Sequence, residues 1–239
     1  ANIVLEMPPG LSATLQVNAG AGTIDVNISA AAKNLTWYGA NGTAWDLSTI
    51  NWKDANFADV AYQQYTNGMI VAGDAARFDD NLYNDFVNPQ PTNITLNTTV
   101  YPFPLVFDST LPYRISGSGG IAGTTSLVKS NTGSLTLNTA NAYSGSTYVY
   151  GGSLLVNSDA ALGTPGTGVT LGGGSLEFSA NTTSARPVTI TAAGSSIGVS
   201  SGATAQLSGQ ITSSSGLTKV SNGALTLTAN NTLTGALSV

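Results

Sequence analysis

The sequence predicts an all-β chain: a parallel β-helix, or β-solenoid, closed at its N-terminal end by a β-rich capping module. Three observations predict it. First, a block occurs twice at an offset of 90 residues. Leu127, Lys129, Gly133, Leu135, Leu137, Asn141 and Gly145 recur as Leu217, Lys219, Gly223, Leu225, Leu227, Asn231 and Gly235. Self-similarity at a fixed interval, built from short alternating strands and Gly/Asn/Ser turns, marks a stacked repeat architecture. Second, the apolar segments of the C-terminal half are only two to four residues long, too short for a free-standing sheet. Stacked on equivalents one coil away, at about 4.8 Å, they would share one inner column. Third, only 8% of the 239 residues are charged. Solubility then falls to Thr, Ser, Asn and Gly, which suit strand faces and turns better than helices.

Composition also divides the chain, into a module over 1–114 and a solenoid over 115–239. Ten of the twelve acids, all three Trp and seven of the nine Pro precede residue 121. In the module, Leu11, Ala13, Leu15 and Val17 alternate onto one face, and Thr23–Ile28 repeats the alternation. The Asn18–Gly22 segment between them reads as a hairpin turn. Residues 37–92 are rich in Asn, Asp, Gly and aromatics and show no period; 54–66 is the one stretch expected to hold a short helical turn. Asn93–Asn97 and Pro104–Phe107 resume strand character.

In the solenoid, strands are expected at Leu135–Leu137, Thr147–Tyr150, Leu154–Val156, Val169–Leu171, Leu176–Phe178, Val188–Ile190, Ile197–Val199, Ala205–Leu207, Leu217–Lys219, Leu225–Leu227 and Leu237–Val239. Gly-Gly, Ser-Gly, Asn-Gly and Pro-Gly pairs link them. The asparagines at the turns, Asn141 and Asn231 among them, tolerate left-handed backbone and can bond between coils.

The run Leu127-Val128-Lys129 to Leu137, then Asn141-Ala142-Tyr143-Ser144-Gly145-Ser146-Thr147 and Gly151-Gly152-Ser153-Leu154, resembles the autotransporter-associated β-strand repeat, also called the passenger-associated transport repeat. The second copy departs at Leu233, where the family pattern has tyrosine, and it stops mid-motif, so the native polypeptide is expected to run on. Trp37, Trp45-Asp46, Asn51-Trp52 and Gly73–Asp80 are more loosely similar to a Trp-rich segment ahead of such repeats. The resemblance implies a secreted or surface-displayed bacterial β-solenoid, structural or adhesive, with no cofactor. Its partners would be further copies of itself, neighbouring surface proteins or a glycan.

Other function classes lose their residues. Cysteine and histidine are absent, which removes disulfides, thiolate chemistry, Cys/His zinc sites and His-based triads. Seven basic residues and a net charge of −5 give no surface for a phosphate backbone, so nucleic acid is not an expected partner. No apolar run is long enough to span a membrane as a helix. The sequence reads as a non-enzyme: Asp159 and Glu177 are the only acids after residue 120, too few for polysaccharide-cleaving chemistry. Glu177 is expected to face outward, with Arg186 within reach as a surface ion pair.

Two clusters stand out as candidate sites. Trp37, Tyr38, Trp45 and Trp52, with Tyr62 and Tyr65, could present aromatic faces to sugar rings, but the favoured reading packs Trp37, Trp45 and Trp52 inside the cap that closes the solenoid end. Asp74, Asp79, Asp80 and Asp85, with Asn81 and Asn84, could offer oxygen ligands to calcium, though neither EF-hand nor nonapeptide spacing is present.

Overall fold

In the computed structural model, residues 11–18, 20, 22–66, 71–81 and 90–239 are described. They form the expected β-solenoid. No α-helix occurs among them, and one four-residue 3-10 turn, Asp159–Leu162, is the sole helical element.

Each coil has three faces. The long sheet has eleven strands, among them Leu105–Asp108, Leu127–Ser130, Thr147–Val149, Val169–Leu171, Val188–Ile190, Ile211–Ser213 and Thr232–Leu233. A second sheet of eight strands runs from Asn93–Thr95 to Leu237–Ser238. The third face is split into two three-stranded sheets, with the 3-10 turn at Asp159–Leu162 between them in chain order. Along the shaft, groups bonded across neighbouring coils are 19 to 24 residues apart, which sets the length of one lap.

The registers explain why such short strands suffice. Leu135, Leu154, Leu176 and Ile197 lie on one another, as do Leu137, Val156, Phe178 and Val199. All eight are buried. Every lap thus adds apolar side chains to the same column, each worth about 1.5–3 kcal/mol against exposure, while the backbone bonds run between coils. All eleven strands expected in the C-terminal half are present. Ala142–Tyr143, Thr182–Ser184, Ile211–Ser213 and Thr232–Leu233 were not anticipated; in the second and third, hydroxyls turn inward, Thr182, Ser184 and Ser213 being buried.

The N-terminal end is closed differently. Leu11–Asn18 and Thr23–Ala31 pair as the expected antiparallel hairpin. Asn34–Trp37 pairs in parallel with Ala75–Asp79, whereas Trp52–Lys53 and Asp59–Val60 add to the sheet end antiparallel. This reversal ends the parallel stack.

One expectation is corrected. No helical turn lies in 54–66; Asp54 organises a tight turn instead, its Oδ1 accepting from the amides of Asn56 and Ala58. The parallel ladder runs through residues 114 and 115. Leu105–Asp108 pairs with both Ala75–Asp79 and Leu127–Ser130, and Tyr113–Ser116 pairs on both sides as well.

Candidate functional site

The tryptophans and Tyr62 lie inside the cap. Trp37 and Trp45 are 0% exposed and Trp52 is 1% exposed. Trp37 and Trp52 are register partners and meet edge-on at 5.1 Å. Trp45 sits edge-on to Trp52 and to Phe78. Phe78 stacks at 4.4 Å on Phe107, its register partner in the next coil. These rings form one continuous plug that meets the first apolar layer of the solenoid, so no indole face is open to a sugar. The indole nitrogen of Trp37 donates to the Pro91 carbonyl at 2.8 Å. Tyr38, partly exposed, lies beneath the Lys53 ammonium, 4.8 Å from its ring centre; Lys53 also bridges to Asp59 at 2.7 Å. Burial raises the Tyr65 phenol to about 12, and the nearby Asp74 adds to the rise.

The described acids of the cluster, Asp74, Asp79 and Asp80, are each engaged by protein donors. Asp74 is buried and accepts from the Lys33 and Gln63 amides at 2.7 and 2.9 Å. Burial, opposed by those bonds, leaves its carboxyl above the usual range. Asp79 accepts from Arg77 and from the amide and side chain of Asn81. Asp80 accepts from the Ser109 hydroxyl and from the amide and hydroxyl of Thr110. Burial would raise the Asp80 carboxyl, but these donors outweigh it and hold it low. Asn84 and Asp85 lie outside the described residues. Among the described residues no group of three or more acids is placed to hold a metal.

Arg186 does not pair with Glu177 at the surface. It is 2% exposed, and its guanidinium reaches into the preceding coil. There Nε donates to Asp159 Oδ1 at 2.9 Å, Nη1 to the Thr164 carbonyl at 2.8 Å, and Nη2 to the Gly163 carbonyl at 2.7 Å. A planar fork of donors suits such a set of fixed acceptors. Glu177 does face outward, between the buried Leu176 and Phe178.

The repeated block is a corner device. Asn131 and Ser221, one block apart, both take left-handed backbone, with φ of 63° and 65°. Beside the first corner, buried Lys129 donates Nζ to the carbonyls of Ser130, Asn131 and Gly151. Its counterpart Lys219 donates to Ser221. Burial lowers the Lys129 ammonium to about 8, against the pull of Asp108 and Asp80. Gly133 and Gly223 follow because the chain passes close over the previous coil: a Cβ at either would stand 2.3 Å from a carbonyl oxygen. Asn141 Oδ1 accepts from the Ile121 amide, and its Nδ2 donates to the Ala161 carbonyl, so one side chain ties three coils. Asn231 Oδ1 accepts likewise from Ile211.

The two copies nonetheless occupy different faces. Leu127–Ser130 lies in the long sheet and Leu217–Val220 in the second; Ser134–Leu137 lies in the second and Ala224–Leu227 on the third. An interval of 90 residues is four laps plus about one side, so the block fixes a corner without choosing which corner.

One surface feature was missed. The long sheet carries Tyr148, Thr170, Thr189, Thr212 and Thr232 in a single outward register. The alternation Thr147-Tyr148-Val149-Tyr150, with Thr147 and Val149 buried, was the available signal that both tyrosines face out.

A closed, three-sided parallel stack with an apolar column and coil-bridging corner residues defines a β-solenoid protein. Comparisons with known proteins agree. The family model described as Passenger-associated-transport-repeat matches residues 127–156 and 217–239. The chain is 34% identical over 192 residues to the Adhesin BmaC autotransporter of Brucella suis biovar 1 (strain 1330). That alignment takes in 68% of this chain and 5% of the length of that protein. No solved structure matches the chain. The chain belongs to the β-solenoid proteins that carry passenger-associated transport repeats.

Proposed function

We propose that this chain is a non-enzymatic segment of an adhesive passenger, displayed at a bacterial surface or released outside the cell, with the solenoid as a stiff shaft. One observation carries the reading: corner-forming repeats of a transported passenger recur within a parallel ladder that runs from Asn34 to Leu233. Identity to a protein named as an adhesin supports it. The side chains best placed for chemistry are occupied in holding coils together, as with Arg186 on the 3-10 coil and Asp80 on the Ser109–Thr110 turn. The flanks that remain are neutral and hydroxyl-rich, fitted to contact over an area rather than at a point. Low charge also weakens repulsion between copies, and lateral packing into a layer or fibre is part of this reading.

Beads coated with the purified chain test adhesion. They should be retained on epithelial monolayers or on polysaccharide films above uncoated beads, and equal retention on every surface overturns the reading. Sedimentation velocity at rising concentration tests the packing: a growing, heavier species is expected, and a constant monomer rejects that part alone.

A further inference from the structure

We propose that the outward side of the long sheet, from Val128 to Thr232, binds an uncharged polysaccharide along the solenoid axis. Tyr148 and Tyr150 would form the stacking platform, and Thr170, Thr189 and Thr212 a rank of hydrogen-bonding hydroxyls. This rests on the adhesive reading and gives it a face and a ligand class.

The register places these groups together. Tyr148 lies on Thr170, Thr170 on Thr189 and Thr189 on Thr212. Strand spacing puts successive hydroxyls about 4.8 Å apart, and the neighbouring rank two residues along each strand about 6.6 Å away. That rank holds Tyr150, Gly172 and Thr191. The two tyrosine rings lie 5.9 Å apart and within 17° of parallel, and Tyr150 is 49% exposed. Gly172 makes room for the second ring, because a Cβ there would stand 2.5 Å from Tyr150 Cδ1. The ring therefore leans over the next coil, toward the threonines.

Two further observations select the ligand. The outward residues of the strands from Val128 to Thr232 carry no charge; Lys129 in this stretch is buried. An anionic glycan or a charged protein would find nothing to pair with. Among the described residues no hydrogen bond holds the hydroxyls of Thr170, Thr189 and Thr212, whereas the hydroxyls of Thr191 and Thr234 donate to the Leu171 and Ser213 carbonyls of the preceding coil. Unpartnered hydroxyls in line with two near-parallel rings, Tyr150 exposed and Tyr148 half-buried, match a sugar chain, which has apolar ring faces and hydroxyl edges.

Calorimetric titration of the full chain with cellohexaose, maltohexaose and an anionic heparin hexasaccharide tests this. At least one neutral hexasaccharide should bind and the heparin fragment should not. Tyr148→Ala and Tyr150→Ala should each weaken binding about tenfold with unchanged melting. Tyr150→Phe should retain it, and Gly172→Ala, which displaces the ring without removing it, should weaken it. Absence of binding to both neutral probes, tighter binding of the heparin fragment, or unchanged affinity in the double tyrosine variant overturns the proposal. So does a dimer that Tyr148→Ala dissolves, since a second copy would then own the face. Beads that still adhere while the hexasaccharides fail to bind would reject this face and leave the adhesive reading standing.

Discussion

Lys129 illustrates how one side chain serves a corner. Three carbonyls point at a single ammonium within the wall of the solenoid. Lys129→Ala leaves those acceptors without a donor and opens a cavity, and should cost about 2–4 kcal/mol in denaturant unfolding. Lys219→Ala, at a more exposed corner, should cost less than about 1 kcal/mol. Asp80 gives a test in pH. Its carboxyl is held below the ordinary range in the folded chain, so its contribution is present above the unfolded carboxylate pKa. That contribution is lost as pH falls through the lower, folded value. Asp80→Asn should therefore melt lower than the wild type near neutrality, and the gap should close in acid. A gap that does not change with pH would contradict the assignment.

Among the elements, the 3-10 coil at Asp159–Leu162 depends most on a single residue. Arg186 bonds to three points of that coil from the next one. Lysine cannot reproduce the fork, and Arg186→Lys should cost about 3 kcal/mol. Hydrogen exchange should accelerate across 159–167 while the coils around Leu135 stay protected. The strands themselves were legible wherever apolar residues alternate, as in Leu154–Val156 or Val188–Ile190. Thr182–Ser184 was not, because hydroxyls fill its inward positions and hydropathy then carries no period. The Asp54 turn was read as helical for a related reason: a side-chain carboxylate, not a repeating backbone pattern, holds it. As for the tryptophans, the need to cap a solenoid favours burying three large rings near the chain start, and the register of Trp37 against Trp52 shows how they meet inside the plug.

Over the whole molecule, each coil touches its neighbours alone, so stability is a sum of local terms and adjacent interfaces. All three tryptophans lie in the cap, which separates two optical signals. Leu207→Ala, far along the shaft, should remove about 3 kcal/mol locally. The circular dichroism transition should shift or split while the tryptophan fluorescence midpoint stays put. A matched shift in both would show that cap and shaft unfold as one body. The recurrence of the corner block at four laps and a fraction has a broader consequence. Any bristle set at a given place in that block points a third of a circle away at its next appearance, and three appearances complete the compass. A rod patterned at this interval would offer the same feature to every direction around its axis, and could meet a target however it happened to be rolled.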